Sequence, residues 1–184
     1  MLFEETSLKG SFIIKPTPFE DQRGFFARWY CENEFMAAGL HAKFVQSNHS
    51  GTNGIGSIRG MHFQYPPHAE VKLVKCIVGK IFDVIIDIRK GSPTFLHWVG
   101  AELTAENKHG FYIPKGFAHG FQTLTDYAEI IYMVSDFFQK DAEGGVRYND
   151  EKTGINWPLP VNKISDKDSS IPLINKMQFE GVNI

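Results

Sequence analysis

The sequence predicts an all-β fold, an antiparallel sandwich or barrel with a few short helices. Three observations carry this. Aromatic residues make up 14% of the 184, and 16 of them are phenylalanine; aromatic and β-branched residues favour strands. Strand-like runs follow one another at short intervals from residue 57 to 136. Gly and Pro separate them, as turns do in two-sheet antiparallel folds. With no repeat, low-complexity tract or linker, the chain reads as one domain over residues 1–184, long enough to bury roughly 70% of its unfolded surface.

Each element follows from local chemistry. Residues 12–15 and 25–30 read as short strands around a turn at Glu20-Asp21-Gln22-Arg23-Gly24. Residues 32–38 read as the one clear short helix, closed by Gly39. Residues 43–48 return to strand. Val71 to Val78 and Lys80 to Ile88, separated by Gly79, predict a tight hairpin. Strands follow at 98–103, 110–113, 118–124 and 129–135. The tail from residue 154 is irregular, with a turn or short helix start at Ile164-Ser165-Asp166-Lys167-Asp168.

The formal net charge of -2 argues against nucleic acid as the main partner. It leaves room for a local basic patch that grips a phosphorylated small molecule. Cys31 and Cys76 read as free thiols, which fits a reducing cytoplasm. The N-terminal residues lack the pattern of a signal peptide, and no apolar run approaches the length of a membrane span.

Two runs carry the chemistry: Arg59-Gly60-Met61-His62-Phe63-Gln64 and Pro114-Lys115-Gly116-Phe117-Ala118-His119-Gly120-Phe121. Alternate strand residues share a face. Lys72 then shares a row with Val74 and Cys76, and Tyr132 shares one with Ala128 and Ile130, so both polar groups point into the interior. His62 shares its row with Gly60 and Gln64. Arg59 falls on the opposite parity unless Gly60 hosts a bulge. Taken singly, His119 reads as a packed core histidine, Tyr132 as a core tyrosine and Lys72 as a snorkelling lysine. Together they offer a base, an oxyanion partner and an acid, with Asp166 or Asp168 to orient a histidine. Arg23, Arg28, Arg59 and Lys72 offer an anion grip, and Gln46 and Asn48 offer hydroxyl contacts.

Gly56, His62, Gln64, Glu70 and Gly79, then Gly110, Pro114, Gly116 and His119, resemble the two motifs of the cupin superfamily, whose fold is a jelly-roll β-barrel. A metal-binding cupin carries a second histidine where Gln64 stands. Gln is a poor ligand for zinc or iron beside imidazole and carboxylate, so no metal is expected. His68 and Glu70 fall on a predicted loop after Pro66-Pro67.

A closer resemblance spans residues 10–172. Its stretches include Asp21-Gln22-Arg23-Gly24-Phe25-Phe26, Gln46-Ser47-Asn48, Ile58 to Gln64, Lys72-Leu73-Val74, Pro114 to Phe121, Trp157-Pro158 and Ser165-Asp166-Lys167-Asp168. In order and spacing these are similar to the dTDP-4-dehydrorhamnose 3,5-epimerases of deoxysugar biosynthesis. The resemblance implies a cofactor-free homodimer formed by strand exchange. It implies epimerisation at C3 and C5 of a nucleotide-linked 4-keto-6-deoxyhexose through enolate chemistry. It assigns His62 as base, Asp168 as the residue that orients it, Lys72 as holder of the enolate oxygen, and Tyr132 as acid. Arg23 and Arg59 would grip the diphosphate. Phe26, Gln46, Asn48, His119, Glu143 and Lys167 would contact substrate, and Phe137 would stack on the base. Arg28 stands where many members carry a glutamate that touches the nucleotide, so it leaves the nucleotide and sugar open. Rival readings are a C3-only epimerase, a metal-dependent cupin enzyme and a non-catalytic sugar-nucleotide binder.

Overall fold

A computed structural model describes residues 1–184. Its strands, in chain order, are β1 (Leu2–Glu5), β2 (Phe12–Lys15), β3 (Phe19–Asp21), β4 (Gly24–Phe26), β5 (Gln46–Asn53), β6 (Ile58–Gln64), β7 (Lys72–Val78), β8 (Lys80–Asp87), β9 (Trp98–Thr104), β10 (Gly110–Ile113), β11 (Phe117–Thr123), β12 (Tyr127–Val134) and β13 (Glu143–Gly145). Three short helices join them: α1 (Glu32–Ala37), α2 (Asp166–Ser169) and α3 (Ile174–Met177). One sheet runs β1-β2-β10-β7-β12-β5 and the other β13-β6-β11-β8-β9, with all pairings antiparallel. This is the all-β jelly-roll architecture the sequence predicts. No helix is long and apolar enough to cross a membrane.

The sheets close on a shared core. Val74, Cys76, Phe111, Ala128 and Ile130 face Ile81, Ile85, Phe117 and Phe121. The outer faces are covered too. Phe35 of α1 packs with Ile14, Leu73 and Tyr112 outside the first sheet. Ile174 and Val182 of the tail cover Val84, Ile86 and Ala118 outside the second. Strands covered on both faces read as continuous apolar runs rather than alternating ones. That is why β8 and β11 have no solvent-exposed face, whereas β5, at a sheet edge, alternates in exposure. Fully buried, Phe35 contributes about 2 kcal/mol by area alone.

The expected hairpin at Gly79 does not form. β7 pairs with β10 and β12, while β8 pairs with β9 and β11, so Gly79 carries the chain from one sheet to the other. It turns at φ +73°, and a Cβ there would lie 2.3 Å from the Tyr127 carbonyl oxygen. A tight-turn signal between two apolar strands fits either connection, and only burial on both sides of each strand separates them. The strand expected over 25–30 ends at Phe26, because Trp29 and Tyr30 pack around Phe35 instead. Phe44 joins the same aromatic cluster, and the strand expected from 43 begins at Gln46.

The bulge at Gly60 is present. His119 pairs with His62 and Phe121 with Arg59, so three steps on β6 match two on β11. Gly60 sits at φ +112°, and a Cβ there would approach the Gly120 Cα to 2.6 Å. The extra residue turns Arg59 onto the same cavity wall as His62.

Candidate active site

A cavity of about 610 Å³ opens between the sheets. Arg59, His62, His119 and Phe121 line it from the second sheet, and Thr52, Lys72 and Tyr132 line it from the first. Lys163, Ser165, Lys167 and Asp168 of the tail close one side. A smaller cavity of about 330 Å³ adjoins it, lined by Gln46, Asn48, Gln64, Glu70, Phe138 and Glu143. His62, Lys72 and Tyr132 line both, so they mark where the two meet.

His62 is held from the tail. Its Nε2 lies 2.7 Å from Asp168 Oδ1, and the Gly60 amide donates to Asp168 Oδ2 at 3.1 Å. Asp168 sits in α2, whose start is capped by Ser165: the Ser165 hydroxyl accepts the Asp168 amide. Burial opposes the charge on Asp168. The hydrogen bonds from His62 and Gly60, with the attraction of His62 and the Ser165 contact, outweigh it and hold the carboxyl below the usual range. An ionised carboxylate only accepts, so Nε2 carries the proton toward it, and in the neutral imidazole Nδ1 is the nitrogen with the lone pair. Asp166 makes no such contact; Asp168 is the partner.

Lys72 is 9% exposed, and its Nζ lies 3.1 Å from Glu70 Oε1. Tyr132 packs against the shared core. Burial first, then the charge of Glu70, raise its phenol above the ordinary value, with Arg59 opposing. Its hydroxyl therefore stays protonated throughout the neutral range. His119 Nε2 lies 2.8 Å from Asp83 Oδ1, on the inner face of β8. Asp83 is fully buried, and its Oδ2 has no partner. Arg59 donates through Nε to the Thr52 hydroxyl at 2.8 Å and through Nη2 to the Gly51 carbonyl at 3.1 Å.

Gln64 is engaged by the chain. Its Oε1 accepts the Gln139 amide at 2.7 Å, and its Nε2 donates to the His68 carbonyl at 3.0 Å and to Glu70 Oε2 at 3.3 Å. Gln46 donates to Asn48 Oδ1 at 3.0 Å on the wall of the smaller cavity. Lys167 Nζ reaches Glu143 Oε1 at 2.5 Å.

Four expected residues stand elsewhere. Arg23 lies at the tip of the β3–β4 hairpin, 86% exposed and paired with Asp21. Phe26 is on the same exposed hairpin, and Arg28 is tied to Glu34 at 3.1 Å. None of the three lines the cleft of its own chain: the β3–β4 hairpin pairs with neither main sheet, and Arg28 follows it. Phe137 does not line the smaller cavity, whereas its neighbour Phe138 does, beside Phe63.

Glu70, Asp83 and Phe138 escaped the sequence reading as site residues. A signal existed for two of them. Glu70 has the parity of Lys72 and Val74, and Asp83 is an acid between Ile81 and Ile85 in an otherwise apolar stretch of their row.

Comparison with known proteins agrees with this architecture. Residues 5–176 match the sequence profile of the family described as dTDP-4-dehydrorhamnose 3,5-epimerase. The enzyme of that name from Salmonella typhimurium is 44% identical over 178 residues, covering 96% of this chain and 97% of that protein. The crystal structure of dTDP-4-dehydrorhamnose 3,5-epimerase from Elizabethkingia anophelis superposes with a TM-score of 0.91 at 42% identity, over 96% of this chain and 98% of the other. That of dTDP-6-deoxy-D-glucose-3,5-epimerase from Legionella pneumophila, in complex with dTDP-4-keto-L-rhamnose, superposes at 0.93 with 36% identity, over 100% and 98%. A profile match over nearly the whole chain, relatives above 40% identity and the same two-sheet fold together place this chain in the dTDP-4-dehydrorhamnose 3,5-epimerase family.

Proposed function

We propose that the protein, as one epimerase domain over residues 1–184, inverts C3 and C5 of dTDP-4-dehydro-6-deoxyglucose to give dTDP-4-dehydrorhamnose. One observation carries this reading: His62 rises from one sheet, Lys72 and Tyr132 rise from the other, and the cleft lies between them. A sugar ring seated there meets a base on one face and an acid on the other.

The C4 ketone acidifies the protons on C3 and C5. His62 Nδ1 takes one of them, the C–H electron pair becomes the enolate, and the imidazolium is held by Asp168. Lys72 donates a hydrogen bond to the oxygen as its charge develops. Tyr132 then gives its proton to the opposite face of the same carbon, which inverts it. Both residues reset by exchange with solvent, and the sequence repeats at the second carbon. Every step is a proton transfer, so the scheme calls on no cofactor. Arg59 and Lys167, with His119, supply positive and polar contacts for the diphosphate end, and Gln46, Asn48 and Glu143 line the adjoining space.

The reading includes a homodimer. Phe19, Phe25 and Phe26 are 73%, 58% and 65% exposed on one projecting hairpin, which also carries Arg23. Such a face is a docking element rather than a solvated turn. Seated against a second copy, it would bring Arg23, Phe26 and Arg28 toward that copy's cleft. Two free thiols fit a cytoplasmic setting.

Turnover of dTDP-4-dehydro-6-deoxyglucose in deuterium oxide, followed by NMR, tests the function. Deuterium and inversion at both C3 and C5 are expected. Label at C3 alone would make the protein a C3 epimerase, and no label would overturn the reading.

A further inference from the structure

We propose that Glu70 is a positioning residue for Lys72: it is the fixed counter-ion that holds the buried ammonium aimed where the enolate oxygen forms. The inference rests on the epimerase reading and deepens it.

An ammonium with so little exposure has lost most of its hydration. Without a partner it would be costly to keep charged. Glu70 makes the only ion pair Lys72 has, at 3.1 Å, and both side chains are about equally buried, 11% and 10% exposed. A lysine also carries a long flexible stem, and an oxyanion partner is effective only if its place is set before charge develops.

Glu70 is itself anchored. Its second oxygen accepts the Gln64 amide, and Gln64 is bonded in turn to backbone groups of His68, Phe137 and Gln139. The lysine is thus tied, through one carboxylate and one carboxamide, to the loop beyond β12. Gln64 and Glu70 hold the spacing that resembles a metal motif in the sequence, and here the carboxylate faces an ammonium instead. Glu70 has a second effect on the same site, since its charge disfavours ionisation of Tyr132 and so supports the proton donor.

Four variants and one substrate test the role: Glu70→Gln, Glu70→Asp, Lys72→Ala and the Glu70→Gln/Lys72→Ala double variant. The readouts are deuterium exchange at C3 of dTDP-4-dehydro-6-deoxyglucose, KM, dTDP binding by calorimetry, and melting temperature. Glu70→Gln should slow exchange about 10- to 100-fold, the scale of an ångström misplacement, with KM and dTDP affinity within about twofold. Glu70→Asp keeps the charge and should recover part of the loss. In the Lys72→Ala background Glu70→Gln should cost nothing further, because a residue that acts through Lys72 has no target once it is gone. Should Glu70→Gln fail to fold, the same cycle with Glu70→Asp decides. Wild-type exchange rates in Glu70→Gln, losses that multiply in the double variant, or an equal fall in dTDP binding would each overturn the role. A wild-type protein that exchanges nothing overturns the epimerase reading and this role with it. Wild-type exchange with a silent Glu70→Gln overturns this role alone.

Discussion

Two histidine–aspartate pairs stand side by side in this protein. His62 meets Asp168 at 2.7 Å and His119 meets Asp83 at 2.8 Å, and the two histidines are directly opposite in the β6–β11 register. Their surroundings differ. The His62 side chain is 32% exposed to the cleft and that of His119 only 10%. Asp168 comes from the tail and has both oxygens satisfied by His62 and Gly60. Asp83 comes from the middle of a doubly covered strand and keeps one oxygen without a partner. Pair geometry alone therefore does not select the base. Access to the cleft, and an acid on the facing wall, do.

Substituting each histidine is the strongest way to break this comparison. His62→Ala should remove solvent exchange and turnover by about 10³-fold or more. His119→Ala should leave exchange within about tenfold and raise KM by a similar factor, as a substrate contact would. Equal loss of exchange in both would erase the distinction. The aspartates sharpen it: Asp168→Asn should cost about 10²-fold in exchange, since a neutral amide no longer fixes the Nε2–H tautomer. Asp83→Asn should cost less than tenfold, read by the same assay.

A pH profile separates the acid from both pairs. Tyr132 works protonated and its ordinary value is raised by burial, so the alkaline fall in kcat should come only above pH 10. A fall near pH 8 would assign the donor to another group.

A third buried aspartate shows what a purely structural carboxylate looks like. Asp87, fully buried, takes hydrogen bonds from Arg89, Ser92 and Thr94; against the cost of burial these hold its pKa at about 2. A lowered value stabilises the fold above the unfolded carboxyl's range, and that contribution fades as pH falls from about 4 toward about 2. Asp87→Asn should lose about 2 kcal/mol at neutral pH, measured by urea unfolding. Its kcat should be unchanged. A loss of exchange in this variant would mean that the site depends on the loop after β8.

The interior rows were legible in the sequence because strand parity is a strict period. Lys72 and Tyr132 follow from it, whereas parity alone put Arg59 on the wrong face and left the bulge at Gly60 as the one condition that would turn it inward. From the residues alone Asp168 was legible as one of two choices, since the depth to which a one-turn tail helix reaches depends on packing far from it. The loop expected after Pro66-Pro67 is present, and Glu70 was hidden on it because a loop carries no strict parity to show that it turns into the cleft. The sheet crossing at Gly79 was hidden because a tight turn looks the same whether its strands pair or part. Arg23 and Phe26 sit on a hairpin whose destination is not set by its own residues.

The central claim is that base and acid act from opposite walls, and Tyr132→Phe in deuterium oxide tests it most directly. With the acid gone, His62 should still remove a proton, exchange it with solvent and return deuterium to the same face. The account predicts deuterium entering the starting epimer at a rate within about tenfold of wild type, while inverted product falls about 10²-fold. Exchange and inversion falling together, or inversion continuing at the wild-type rate, would contradict it.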